Sequence, residues 1–196
     1  DAAGGIAEDN GVVEALRRSS NELDGASVAE VQSYLNEMSP EALAGLINNA
    51  KGIYHEQLFV AAENSDADAW QALIMPETNH PGSDVVLQNI VTGEQIEVQL
   101  KATDSVSYIT QHLAAHPDVP VVATEEIAST ASSVSTSGIS NEEITTEVTE
   151  TVSGLAGAGA ADEHIGDIFA GGIIGVLFAE GIQMANAASN RQNYSF

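Results

Sequence analysis

The sequence predicts an α/β protein: a small mixed sheet flanked by helices, with a helical region before it and a glycine-rich helix after it. Three observations carry that prediction. Up to about residue 73 the apolar side chains recur at helical spacing. Between Asp84 and Thr124 the pattern changes to short apolar runs bounded by turn residues, the mark of strands. Beyond Leu155 the chain becomes small and glycine-rich before a long apolar run. With 196 residues, 43% of them apolar, the chain is long enough for one ordinary domain with a sizeable core.

Taken in order, residues 1 to 10 read as a flexible lead. Val12 to Ser19 and Ser27 to Glu37 have helical spacing, and Ser27 with Glu30 forms a capping box in which each side chain satisfies the other's backbone N–H. Ser39-Pro40-Glu41 starts another helix, with Pro at the first helical position, running to about Asn49. After a break at Lys51-Gly52, a longer helix is expected from near Tyr54 through Trp70 toward Leu73, with Leu58, Val60, Ala61, Ala69 and Leu73 on one face.

His80-Pro81-Gly82-Ser83 is a turn and Asp84 to Leu87 a strand. Thr92-Gly93-Glu94 is a hairpin turn, leading into a second strand from Gln95 to Lys101. Along that strand Ile96, Val98 and Leu100 point one way while Glu97, Gln99 and Lys101 point the other. Ser105 to Ala115 is a helix stopped by Pro117-Asp118, and the continuous apolar run Val119 to Thr124 suits a parallel or central strand. Ser129 to Ser140, rich in Ser, Thr and Ala, reads as a linker, and Asn141 to Val152 as a helix with Glu142 and Glu143 in its first turn. The expected organisation is a helical region over 1–52, an α/β core over 53–128, and a linker with a glycine-rich helical region over 129–196.

Charge is the most unusual property. Twenty-nine Asp and Glu face five Lys and Arg, for a net charge of -24, and no Lys or Arg lies between Lys101 and Arg191. Such a surface repels phosphate backbones and anionic membranes and favours solubility. It fits a halophilic or marine source, or a secreted or virion protein; the dispersal of the acids argues against a mimic of nucleic acid. The chain has no cysteine, which excludes disulfides and thiolate metal sites. It begins Asp-Ala-Ala-Gly-Gly with neither an initiator Met nor a signal peptide, which suggests a cleaved product or a trimmed chain.

One set of residues has the makings of chemistry. Hydrolysis of a phosphodiester needs acidic oxygens to hold Mg²⁺, which activates a water, and a cation to steady the developing charge. The chain offers Glu56 on a helix, Asp84 in Pro81-Gly82-Ser83-Asp84, and Glu97-Val98-Gln99-Leu100-Lys101 on the next strand. This order of helix, Asp-led hairpin, Gln-x-Lys strand, helix and apolar strand resembles the PD-(D/E)xK nuclease superfamily, in the variant where Gln replaces the second acid. The resemblance covers Tyr54 to Ile127. It implies a restriction-endonuclease-like core, a Mg²⁺ cofactor and a nucleic-acid substrate. Asp84 would be the main metal ligand and Gln99 a second, Lys101 the catalytic base or charge stabiliser, and Glu56 a supporting acid. Glu97, on the same strand face, would compensate for the charge missing at Gln99. In a chain with only two lysines, Lys51 and Lys101, one stands at the catalytic position.

The opposing reading makes Asp84 a turn cap, Gln99 and Lys101 the solvated face of a strand, and the core a scaffold in a structural or assembly protein. Other chemistry is less well supported. His112 and His116 are one helical turn apart but lack the glutamate of a zinc-protease helix, so a surface pair is the simpler reading. No Gly-x-Ser-x-Gly elbow, phosphate loop or dinucleotide fingerprint occurs. The apolar run Ile168 to Ala179 is shorter than the ~20 residues that span a bilayer. Its Gly171-x-x-x-Gly175 spacing permits close helix packing, so a core helix or a homo-oligomer interface is expected ahead of membrane contact.

Overall fold

The computed structural model of the chain describes residues 6–75 and 82–157. The glycine-rich segment, with its expected roles in oligomerisation or membrane contact, lies outside the described residues, as do His80 and Pro81. No helix among the described residues is long and apolar enough to cross a membrane. The chain divides into two compact units, whose described parts are 6–54 with 142–157, and 55–75 with 82–141.

The first unit is helical. Helix α1 (Gly11–Ser19) is capped by Asn10, whose side chain accepts from the N–H groups of Val12 and Val13. Helix α2 (Val28–Glu37) carries the expected capping box between Ser27 and Glu30. Helix α3 (Pro40–Glu63) starts at the expected proline and continues into the second unit. Helix α6 (Asn141–Ala156) supplies Ile144, Val148, Val152 and Leu155, all buried. On α3, Tyr54 is buried and hydrogen-bonded to Glu147, and burial followed by that carboxylate pushes its phenol pKa well up. The expected flexible lead is tied down at its described end. Arg17 bonds to the Glu8 carbonyl at 2.8 Å and to its carboxylate at 2.6 Å, and Glu8 also accepts from Val28 N–H.

The second unit holds a five-stranded sheet in the order β1 (Trp70–Ile74), β2 (Val85–Asn89), β3 (Gln95–Lys101), β4 (Val121–Ala123), β5 (Ser135–Thr136). β1, β2 and β3 form an antiparallel meander, while β4 pairs parallel to β3 and β5 parallel to β4. Helix α4 (Val106–Ala115) makes the crossover from β3 to β4, and the short α5 (Glu125–Ala128) leads toward β5. β3 has the expected bounds, and α4 falls within the helix expected over Ser105 to Ala115, with Ser105 as its cap.

Three expectations are corrected. There is no break at Lys51-Gly52: the helix runs on, and the burial of Ala50, Ile53 and Tyr54 outweighs the ~1 kcal/mol that a mid-helix glycine costs. The helix does not reach Leu73. It ends at Glu63, and the chain turns through Ala67, at φ 61°, into β1. There the Asn64 amide mimics a neighbouring strand, accepting from Ala72 N–H at 2.9 Å and donating to Ala72 C=O at 3.0 Å. The expected linker from Ser129 to Ser140 contains β5, whose backbone pairs with Val122 and Ala123.

Strand alternation gives the sheet two dressed faces. Val85, Leu87, Val98, Leu100 and Val122 meet Phe59 of α3 on one face. Val121 and Ala123 meet Ile109 of α4 and Ile127 of α5 on the other. Each strand residue is thereby committed to one helix layer, and the polar residues of β3 fall on the α4 side.

Candidate functional site

Asp84 and Gln99 are brought together. In the β2–β3 register Val85 lies opposite Val98, so Asp84 falls opposite Gln99 at the end of the sheet where β2 begins and β3 finishes. The Asp84 backbone N–H donates to Val98 C=O at 3.0 Å, continuing the ladder. Its carboxylate oxygen Oδ2 accepts from Leu100 N–H at 2.9 Å and from the Gln99 side-chain amide. That amide also donates to Leu100 C=O at 3.2 Å, and Gln99 is buried at 6% exposure. Asp84 thus completes the β3 ladder past the end of β2 as well as presenting a carboxylate there.

Lys101 stands two residues beyond Gln99 on the same face of β3. Among the described residues it makes no ion pair; its ammonium lies 5.1 Å from the ring centroid of Tyr108 on α4, within cation–π range. Glu97, also on that face, accepts from Ser83 Oγ at 2.9 Å, so its carboxylate is held beside the residue preceding Asp84.

Glu56 is half-buried on α3, which packs on the face of Val98 and Leu100. Its neighbour His55, fully buried, shares a 2.8 Å hydrogen bond with Ser137 Oγ just beyond β5. Ser137 N–H bonds Ala123 C=O, and Thr124 N–H bonds Lys101 C=O. Residue 55 therefore belongs to the same end of the sheet as Asp84 and Lys101, the end where the parallel strands finish and where open sheets usually bind ligands. Glu56 and Gln99 start from opposite faces at that end.

The α4 face adds residues whose involvement the sequence did not reveal. Tyr108, His112 and His116 follow one another at one-turn spacing. The imidazoles of His112 and His116 have centroids 4.9 Å apart, and a Cβ placed on Gly82 would lie 3.0 Å from His116 Nδ1. Burial, then the Lys101 charge, then His116 hold the His112 pKa below its ordinary 6.5. The i,i+4 spacing was visible in the sequence, but its proximity to Lys101 depends on the β3–α4–β4 crossover.

A separate acidic group was also missed. Glu63 at the end of α3, buried at 1% exposure, and the exposed Asp66 and Asp68 place carboxylate oxygens within 4.8 Å of one another. Three carboxylates at that spacing can hold a metal ion, and an all-oxygen set suits a hard cation such as Mg²⁺ or Ca²⁺. The signal available in the sequence was the close succession of three acids across a helix end.

Comparison with family models, with curated proteins and with solved structures returned no match to this chain.

Proposed function

We propose that the chain is a metal-dependent nuclease, or a descendant that has kept the core without the cutting, built on a restriction-endonuclease-like core of the PD-(D/E)xK type. The observation that carries the reading is the contact between Asp84 and Gln99 at the end of the sheet, with Lys101 on the same face of the same strand. It is supported by the chain order of helix, Asp-led strand, Gln-x-Lys strand, crossover helix and apolar strand within one sheet.

The donor set fits Mg²⁺ held partly by water and by a substrate phosphate, since Mg²⁺ is usually bound through one or two carboxylates. Asp84 would supply the charge and Glu97 a nearby second carboxylate. Gln99 directs its amide N–H at Asp84, so its Oε1 would reach a metal only after the amide turns. Bound there, the ion would polarise the scissile phosphate and lower the pKa of an attacking water. Lys101, moving off the Tyr108 ring, would stabilise the charge that develops on the phosphate. Glu56 would join from the α3 side.

The rival reading, a structural or interaction protein such as a virion or extracellular assembly component, has an observation of its own. Leu73 on β1 and Ile90 and Val91 in the β2–β3 turn are 56%, 59% and 79% exposed. Exposed apolar side chains on an edge strand and a hairpin turn suit contact with a partner.

The deciding experiment is cleavage of single-stranded, double-stranded and branched DNA and of RNA, with Mg²⁺ or Mn²⁺, at low and high salt. Wild type is compared with Asp84→Asn and Lys101→Met. Metal-dependent cutting that falls at least a hundredfold in both variants, a typical loss for removal of a charge-stabilising group, supports the assignment. Cutting that survives in both moves the site elsewhere, and no cutting by a folded wild type leaves the scaffold reading.

A further inference from the structure

The sheet-bearing unit is poor in positive charge. Between residues 55 and 141 the sequence has Lys101, no arginine, and four histidines, His55, His80, His112 and His116. His55 is fully buried against Ser137. The other side chains able to carry positive charge among the described residues of this unit, Lys101, His112 and His116, all gather on the α4 side of the sheet beside Asp84. The Lys101 ammonium lies over Tyr108, and His112 is one turn further along α4. The imidazole of His116 lies 4.9 Å from that of His112 and packs on Gly82, two residues before Asp84.

Gathering like charges is unfavourable in itself, and the depressed basicity of His112 registers that repulsion after the larger effect of burial. On a chain of net charge -24, positive groups could be dispersed among acids at no such cost. An anion seated among them reverses the sign, because it attracts all three. His112 Nε2 is shielded and has no hydrogen-bond partner among the described residues, so an oxygen acceptor is what a protonated imidazole there lacks. Tyr108, 50% exposed beside Lys101, offers an aromatic face on which a base can stack.

We infer that Lys101, His112 and His116 form a binding site for a phosphodiester group, with Tyr108 as the platform for the adjoining base. The inference rests on the nuclease reading for the identity of its ligand and deepens it: the site seats the backbone beside Asp84 with a single fixed cation, Lys101, supplemented by two imidazoles. Binding is then governed by pH. The other charged side chains on the flanking elements are the acids Glu97 of β3, Asp84 before β2, Asp104 before α4, Asp118 after it, and Glu125 and Glu126 of α5. Near pH 7.5, above its lowered pKa, His112 is neutral and adds no charge to that of Lys101. As pH falls below 6.5, His112 charges and the diester binds more tightly; by linkage, the bound diester raises the His112 pKa.

The test uses the full chain without divalent metal, at two salt concentrations, with imidazole ¹H–¹⁵N NMR titrations of His112 and His116. The probe is the dinucleotide thymidylyl-(3′,5′)-thymidine, whose diester charge does not change between pH 5 and 8; sulfate serves as the non-nucleotide anion. The expected result is an upward shift of the His112 titration by the dinucleotide and about tenfold tighter binding at pH 5.5 than at 7.5, the ratio one pKa unit carries. That pH dependence should vanish in the His112→Gln/His116→Gln double variant. Tyr108→Ala should weaken the dinucleotide but not sulfate, and Tyr108→Phe should restore it. Binding that ignores pH, a double variant that binds like wild type, or equal responses to sulfate and dinucleotide would each overturn the inference. The two readings fail separately. Cutting with unchanged KM and pH profile in the double variant sinks the phosphate site alone, whereas pH-dependent binding with no cutting under any metal sinks the nuclease alone.

Discussion

Replacing Asp84 by alanine should destabilise the fold as well as remove the candidate metal ligand, and the size of the effect follows from its hydrogen bonds. The carboxylate accepts from Leu100 N–H at 2.9 Å and from the Gln99 amide. Leu100 and Gln99 are 5% and 6% exposed, so neither donor has ready access to water once its partner is gone. A buried donor left without an acceptor costs about 1–3 kcal/mol. The Leu100 N–H would bear that in full, while Gln99 keeps its bond to Leu100 C=O and would bear less. The expected loss is about 2–4 kcal/mol, which lowers Tm by roughly 5–15 °C for a chain of this size. Asp84→Asn keeps an oxygen for Leu100 N–H and should cost about 1 kcal/mol, mainly the charge-assisted part of the bond. Urea denaturation followed by circular dichroism measures both. If Asp84→Ala lies within 0.5 kcal/mol of wild type, Asp84 does not complete the β3 ladder and its carboxylate does not hold the Leu100 N–H. If it is as unstable as expected, lost cleavage in that variant carries no catalytic meaning, which is why Asp84→Asn is the one to assay.

Further outcomes follow from particular contacts. A methyl group on Gly11 would lie 2.9 Å from Tyr54 Cε2, on a ring that is buried and hydrogen-bonded to Glu147; Gly11→Ala should therefore destabilise by about 1–3 kcal/mol in thermal unfolding, despite alanine's better helix propensity. Asn64→Ala removes both bonds to the Ala72 backbone, and should cost about 1–2 kcal/mol with faster amide exchange at Ala72. Lys101→Met deletes the second-largest cause of the depressed His112 pKa, so the titration of that imidazole, read by NMR without any ligand, should move up toward 6.5.

How legible the chain was depended on the range of the interactions. The Ser27–Glu30 capping box was readable because its partners are three residues apart. The hairpin turn was readable because Gly93, at φ 77°, does what an L side chain rarely does. The bounds of β3 followed from alternation, which also placed Glu97, Gln99 and Lys101 on one face. β1 was not readable. Trp70-Gln71-Ala72-Leu73-Ile74 suits a helix nearly as well as a strand, and pairing with Val85–Asn89 together with the Asn64 side chain makes it a strand. β5 carries no pattern at all, since Ser135 and Thr136 become a strand only by lying beside Val122 and Ala123. Nor does local propensity explain a helix that crosses Gly52; the burial of Ala50, Ile53 and Tyr54 does.

The candidate site divides the same way. The sequence by itself determined which chemical groups exist, their scarcity of positive charge, and the strand face that Gln99 and Lys101 share. The tertiary structure decided that Asp84 meets Gln99 across the β2–β3 register, that Lys101 turns toward Tyr108, and that His112 and His116 lie beside them. The first follows from the antiparallel β2–β3 pairing, and the others from a parallel crossover that lays α4 over β3 and β4. Side-chain alternation is fixed by backbone geometry within a residue or two, whereas the layer a helix covers is chosen by apolar burial summed over the whole sheet.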